Sequence, residues 1–177
     1  MRIVLKPYEL ELAAGVGVRR HINGMAKGMV HTGGFNGING WERDIHGACG
    51  ELAAAKALNL LWDGSFGVLR TPDLVHPIEG TIHVRTTMRP DGYLVHRPNE
   101  TQEGIYLLIT CDPNELARVP AYEVRGWLPG GEFRQHQDWW AEPRNADGSQ
   151  RPGAWFAPQA SLRPIESLLL GKVQVEA

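Results

Sequence analysis

Two cysteines in 177 residues are too few for a disulfide framework or a cysteine zinc cage. Cys49 falls in a helical run and Cys111 at a strand end, which suits two buried free thiols better than a disulfide. Neither sign of charge dominates. Eighteen Lys and Arg stand against 20 Asp and Glu, for a net charge of −2. Domains that grip nucleic acid regardless of sequence usually carry a basic excess. The balance argues against tight, sequence-blind binding by a monomer and leaves a local basic patch open. No segment approaches the roughly 18 apolar residues that span a bilayer. Residues 1–6 carry no apolar stretch of signal-peptide length. The expectation is a soluble, cytoplasmic protein with no membrane partner. Repeats and low-complexity tracts are missing. The glycine-rich stretch 31–40 has no Gly-x-Gly-x-x-Gly and no phosphate-loop lysine, which excludes the usual nucleotide loops. The histidines show no His-x₃-His or His-x-His spacing, and no serine sits in a nucleophile elbow. An acyl-transfer or thiol enzyme is therefore unsupported.

What the chain has in quantity is glycine, proline and tryptophan: 21, 12 and 6 residues. The glycines and prolines gather in 28–40, 120–131 and 143–158, so elements should be short and loops many. Residues 1–5 read as a strand. Residues 8–25 are mildly helical, weakened by the glycines at 15 and 17 and by a third at 24. The best helix runs over 39–58. Asn39 can cap it, Glu42 completes a capping box, and Trp41, Ile45, Ala48, Leu52 and Ala55 form one apolar stripe. Glu51 lies one step off that stripe, at the edge of the buried face. From Val68 the period changes to two. Strands are expected at 73–76, 81–87, 93–96, 105–111 and 122–128, with turns at 77–80 and 90–92. Ile105-Tyr106-Leu107-Leu108-Ile109 should be a central strand buried on both faces. A helix is expected over 131–140, an exposed loop over 145–153, an extended piece at 155–158, and a last helix over 164–170 before Gly171. The order predicts a single α/β (α+β) domain with a mixed central sheet flanked by helices. Its parts are an N-terminal extension with a loop (1–40), a core (41–128) and a loop-rich C-terminal part (129–177).

Three polar positions within the core stand out. Glu51 is on the helix, Asp73 follows Pro72 at a strand start, and His83-Val84-Arg85 lies in the next strand. Residues 83 and 85 share one strand face. Phosphodiester hydrolysis needs a metal to polarise the phosphate, an activated water and relief of developing charge. Carboxylates can hold Mg²⁺ while it keeps several waters.

At these residues the chain resembles the PD-(D/E)XK nuclease superfamily, whose restriction-endonuclease-like core runs helix with Glu, strand with Asp, strand with (D/E)-x-K. Gly50-Glu51 matches the helix glutamate and Pro72-Asp73 the PD. His83-Val84-Arg85 stands in place of (D/E)-x-K. The stretch 47–127 is also similar to small phage and prophage proteins of unknown role, through Gly50-Glu51-Leu52-Ala53-Ala54-Ala55-Lys56, Val84-Arg85-Thr86 and Gly126-Trp127. The resemblance implies a restriction-endonuclease-like fold in a bacterial or phage-infected cell. It also implies a divalent metal (Mg or Mn) on Asp73, Glu51 and His83, with Arg85 clamping the scissile phosphate of DNA. Such folds commonly act as a homodimer to cut both strands. The departures cut the other way. Imidazole suits Mn²⁺ or Zn²⁺ better than Mg²⁺, and arginine is a poor proton donor or acceptor. Two readings follow: a metal-dependent DNA endonuclease, or a catalytically inactive nuclease-fold module that binds DNA or a protein partner.

Each residue also has a plain reading. Glu51 can pair with Lys56 or Arg43, and Asp73 can serve a turn. His83 can be a half-buried strand histidine, and Arg85 can make a surface ion pair. Glu79, in the turn before the strand, suits solvent better than a metal. Trp41, Trp62 and Trp127 should pack in or near the core. Trp139-Trp140 and Trp155-Phe156 either stack bases of a single strand or pack the C-terminal third onto the sheet, and packing is favoured. Arg19, Arg20, Arg43, Arg85, Arg89 and Arg97 would make a phosphate-facing stripe if the fold aligned them.

Overall fold

The computed structural model describes residues 1–28, 40–65, 72–116, 118–145 and 148–169. The chain folds as β1 (Arg2–Val4), α1 (Pro7–Ala26), α2 (Gly40–Leu58), β2 (Leu74–His76), β3 (Gly80–Thr87), β4 (Leu94–His96), β5 (Ile105–Thr110), α3 (Pro113–Leu116), β6 (Ala121–Pro129), β7 (Trp140–Ala141), β8 (Ala154–Ala157) and α4 (Glu166–Leu169). It is a mixed α/β single domain. The main sheet has the order β1-β6-β5-β3-β2, and a smaller sheet has the order β4-β8-β7. The expected Asn39 cap, the 31–40 loop, the period change at Val68, Leu170 and Gly171 fall outside the described residues.

Strand β5 is the centre, as its unbroken apolar run predicts: all six residues are buried. It pairs parallel with β3 and antiparallel with β6. Its alternate residues supply two cores. Ile105, Leu107 and Ile109 join Ile82, Val84 and the alanines of α2 on one face. Tyr106 and Leu108 join Leu94, Leu128, Phe133 and Trp155 on the other. Helix α2 covers the first face, with α1 packed on α2, and the small sheet covers the second.

Helix α1 starts with Pro7 at its first position, and the Glu9 carboxylate accepts the Lys6 N–H at 2.6 Å. Helix α2 is buried over more than the expected stripe. Cys49, Gly50, Glu51, Ala53 and Ala54 are all buried. The reason is that α2 is held between α1 and the sheet. Small side chains permit this, since a Cβ on Gly50 would overlap the Thr86 side chain of β3. Trp41 is an exception to the predicted stripe. It is 40% exposed and rests on the His21 ring.

The helix expected over 131–140 does not form. Two 3₁₀ turns, Gly130–Gln135 and Gln137–Trp139, take its place and lead into β7. Phe133, His136 and Trp139 are spaced by three, the 3₁₀ period. Phe133 is buried, and the His136 and Trp139 rings stack at 3.8 Å. Trp127, Trp139 and Trp155 are buried, so these indoles pack. Both cysteines are free and buried. Among the described residues no helix is long and apolar enough to cross a membrane.

Candidate functional site

Glu51 is 6% exposed, and neither Lys56 nor Arg43 is its partner. Arg20 of α1 holds it from above with two parallel bonds, Nη1 to Oε1 at 2.5 Å and Nη2 to Oε2 at 2.8 Å. The Trp62 indole N–H donates to Oε2 at 3.2 Å. Arg20 also donates from Nε and Nη2 to the Ser65 carbonyl. Such a fork matches a carboxylate in plane and is the strong form of ion pair. Lys56 instead bonds Glu9 and the Val4 carbonyl, and Arg43 bonds Asp44. Glu51 therefore ties α1, α2 and the segment after α2 together.

Asp73 sits where β2 begins. Its backbone N–H donates to the Ile82 carbonyl at 2.9 Å, and its Oδ2 accepts the Val84 N–H at 2.7 Å. Strand β2 covers β3 only as far as Ile82. The Val84 N–H would otherwise face an open edge, and the carboxylate closes it. Burial, and then the nearby Glu51 carboxylate, raise the Asp73 carboxyl to about 7, against the Val84 bond and the charges of Arg85 and Arg20. The unfolded chain releases this proton near 3.8 and the native one near 7. Between those values the native state holds more protons, so this group's contribution to stability falls as pH rises from about 4 to about 7 and is flat outside that window. Asp73→Asn should remove that fall. Thermal melts of both proteins from pH 4 to 8 check it: a wild-type minus variant difference that does not change with pH would refute the assignment.

His83 and Arg85 do share a strand face, as expected, but it is the face away from α2. In register, His83 lies beside Tyr106 and Arg85 beside Leu108. The His83 ring stacks on Tyr106 at 4.9 Å, and the Arg85 guanidinium lies over the same ring at 5.1 Å. Ile82, Val84 and Thr86 take the face toward α2. Glu51 and His83 are thus separated by the sheet, which corrects the expected grouping of Asp73, Glu51 and His83 around one metal. Among the described residues no three His, Cys, Asp or Glu side chains are arranged to hold a metal ion. Both Glu51 oxygens are bonded to Arg20, and burial together with Arg85 lowers the His83 imidazole below its usual range. The residues present do not fit the divalent cation that the motif implies. Glu79 is exposed in its turn.

The face that Arg85 does address opens into a cleft of about 310 Å³. It lies past the end of β3, between the first turns of α2 and the small sheet. Arg43, Arg85, Arg89, Arg97 and Arg151 line it, and among the described residues no carboxylate does. Four of these are members of the stripe suspected from sequence. Arg20 lies instead in the Glu51 pair, and Arg151 carried no signal, since it sits in a loop far along the chain. Carboxylates outside the lining pair with several of these arginines. Glu100 Oε1 accepts from Arg85 Nη2 at 3.0 Å and from Arg97 Nη1 at 3.2 Å, while Asp91 pairs with Arg89. These arginines hold the Glu100 carboxyl below its usual range despite burial. Arg85 Nε is a buried donor with no hydrogen-bond partner. A buried unpaired donor is costly unless something else meets it. Comparison with protein-family models, with curated proteins and with solved structures finds no match to this chain.

Proposed function

We propose that the protein binds DNA through the arginine-lined cleft, as a non-hydrolytic module built on a nuclease-like core. The observation that carries this reading is a concave site with five arginines, no lining carboxylate among the described residues, and a buried, unpartnered Arg85 Nε. Planar guanidinium groups suit phosphate better than any other anion-binding side chain. The net charge of −2 is no obstacle, because five arginines line this one cleft. The separation of Glu51 from His83 and Arg85 favours binding over hydrolysis.

The test is fluorescence anisotropy with labelled DNA between 50 and 200 mM salt, with Mn²⁺ or EDTA present and the products run on a gel. Binding should weaken steeply as salt rises, because phosphate contacts release counterions, and Arg97→Ala should lower the salt slope by about 1. DNA should stay intact in both lanes. Absence of binding at 50 mM salt would remove the proposal. Metal-dependent cleavage that disappears in Asp73→Ala would replace it with the endonuclease reading.

A further inference from the structure

The cleft is not a purely ionic surface. Tyr93 and Phe156 stand in its wall with their rings edge to face at 6.4 Å. Tyr93 is 48% exposed, so one ring is free of the core. Pro143, Pro152, Val95 and Met88 continue the apolar lining. A simple anion site has no use for such a wall. A duplex would leave it idle too, because its bases are stacked inside the helix and present phosphates and base edges but no base face. A strand with unstacked bases engages both parts, with a π-face on the aromatic side chain and phosphates on the guanidinium groups. The volume, about 310 Å³, is at the small end of ligand sites. That is room for one base, not for an extended ligand.

We infer that the cleft takes one unit of a single-stranded nucleic acid, with the base against Tyr93 and its flanking phosphate on Arg85 and Arg97. Glu100 is the positioning residue, since one of its oxygens holds both guanidinium groups side by side. The inference rests on the DNA-binding reading above and adds strandedness and the base contact to it.

The experiment compares labelled dT12, rU12 and a 12-base-pair DNA duplex by anisotropy at one salt concentration, for wild type, Tyr93→Ala and Tyr93→Phe. Tyr93 is exposed, and matching thermal melts will show that the variants fold. The expected result is dT12 bound at least tenfold more tightly than duplex, with about tenfold lost in Tyr93→Ala and regained in Tyr93→Phe. Equal binding of rU12 would extend the site to strands of either sugar, and preference for dT12 would restrict it to DNA; both uphold the inference. Duplex bound as well as dT12, or Tyr93→Ala within twofold of wild type, would overturn it while leaving DNA binding intact. No binding to any of the three would overturn the inference and the reading beneath it together.

Discussion

Arg20→Ala should destabilise the protein by about 3 to 5 kcal/mol, the range for removing one partner of a buried ion pair. In a chain of this size that is a fall of about 10 °C in melting temperature. The guanidinium meets both oxygens of Glu51, which is 6% exposed. Without it the carboxylate keeps, among the described residues, only the Trp62 N–H, with Asp73 as a second acid close by. A charge cannot stay in such surroundings uncompensated, so the site must take up a proton or open to water. Glu51→Gln should cost less, because the abandoned group is then Arg20, whose side chain is 25% exposed and can reach solvent. The double variant Arg20→Met, Glu51→Leu should recover most of the loss, since apolar replacement of a whole buried pair is often neutral. Urea denaturation of the wild type and the three variants measures each of these costs. If Arg20→Ala costs under 1 kcal/mol, Glu51 is not the structural anchor described here.

Gly17→Ala should be nearly as damaging, at about 3 kcal/mol, the upper part of the usual overpacking range. A Cβ at Gly17 would lie 2.5 Å from Ile45 Cα, 2.6 Å from the Asp44 oxygen and 2.7 Å from the Ile45 nitrogen. Every one of these atoms is backbone, so no rotamer change relieves the overlap and α1 must move off α2. That crossing is also where Arg20 meets Glu51 and where His21 Nδ1 meets Asp44 at 2.9 Å. The gain of about 1 kcal/mol from replacing a helical glycine offsets only part of the loss. Gly15→Ala is the built-in control. It is the same chemical change in the same helix, but at an exposed position with nothing within 4 Å. It should stabilise by a few tenths to about 1 kcal/mol. Thermal melts that move in the same direction for the two variants would contradict the packing of α1 on α2.

The same glycines show what can be read along a chain and what cannot. In sequence, Gly15 and Gly17 are two equal weaknesses of a helix. Only the position of a second helix separates a harmless one from an obligatory one. The strand run was legible because a period of two is a local signal, and β5 was legible because six buried residues leave an unbroken apolar word. Period two also puts His83 and Arg85 together. It cannot say which side of the sheet they occupy. Here that side depends on Tyr106, whose ring accepts both, and on a small sheet whose strands β4 and β8 lie about 60 residues apart. Glu51 was recognisable as a special helix residue, but its partner, Arg20, is 31 positions away on another helix. The cleft was half legible: the arginines were visible as a set, whereas Tyr93 and Arg151 join them only through the small sheet.

That small sheet also decides how the molecule can be divided. The chain leaves the main sheet after Thr87, lays down β4 beside β8, and only then returns as β5, parallel to the strand it left. A parallel return needs a crossover, and a helix usually supplies it. Here a strand borrowed by another sheet does so, and it works as a stitch. A cut after residue 128 would not release a trimmed core. It would take away β8, Phe133 and Trp139, strand the stitch without its neighbour, and lay Tyr106 and Leu108 bare on the back of the central strand. The C-terminal third therefore supplies the second half of the interior, and residue 128 is not a seam at which the chain could be shortened.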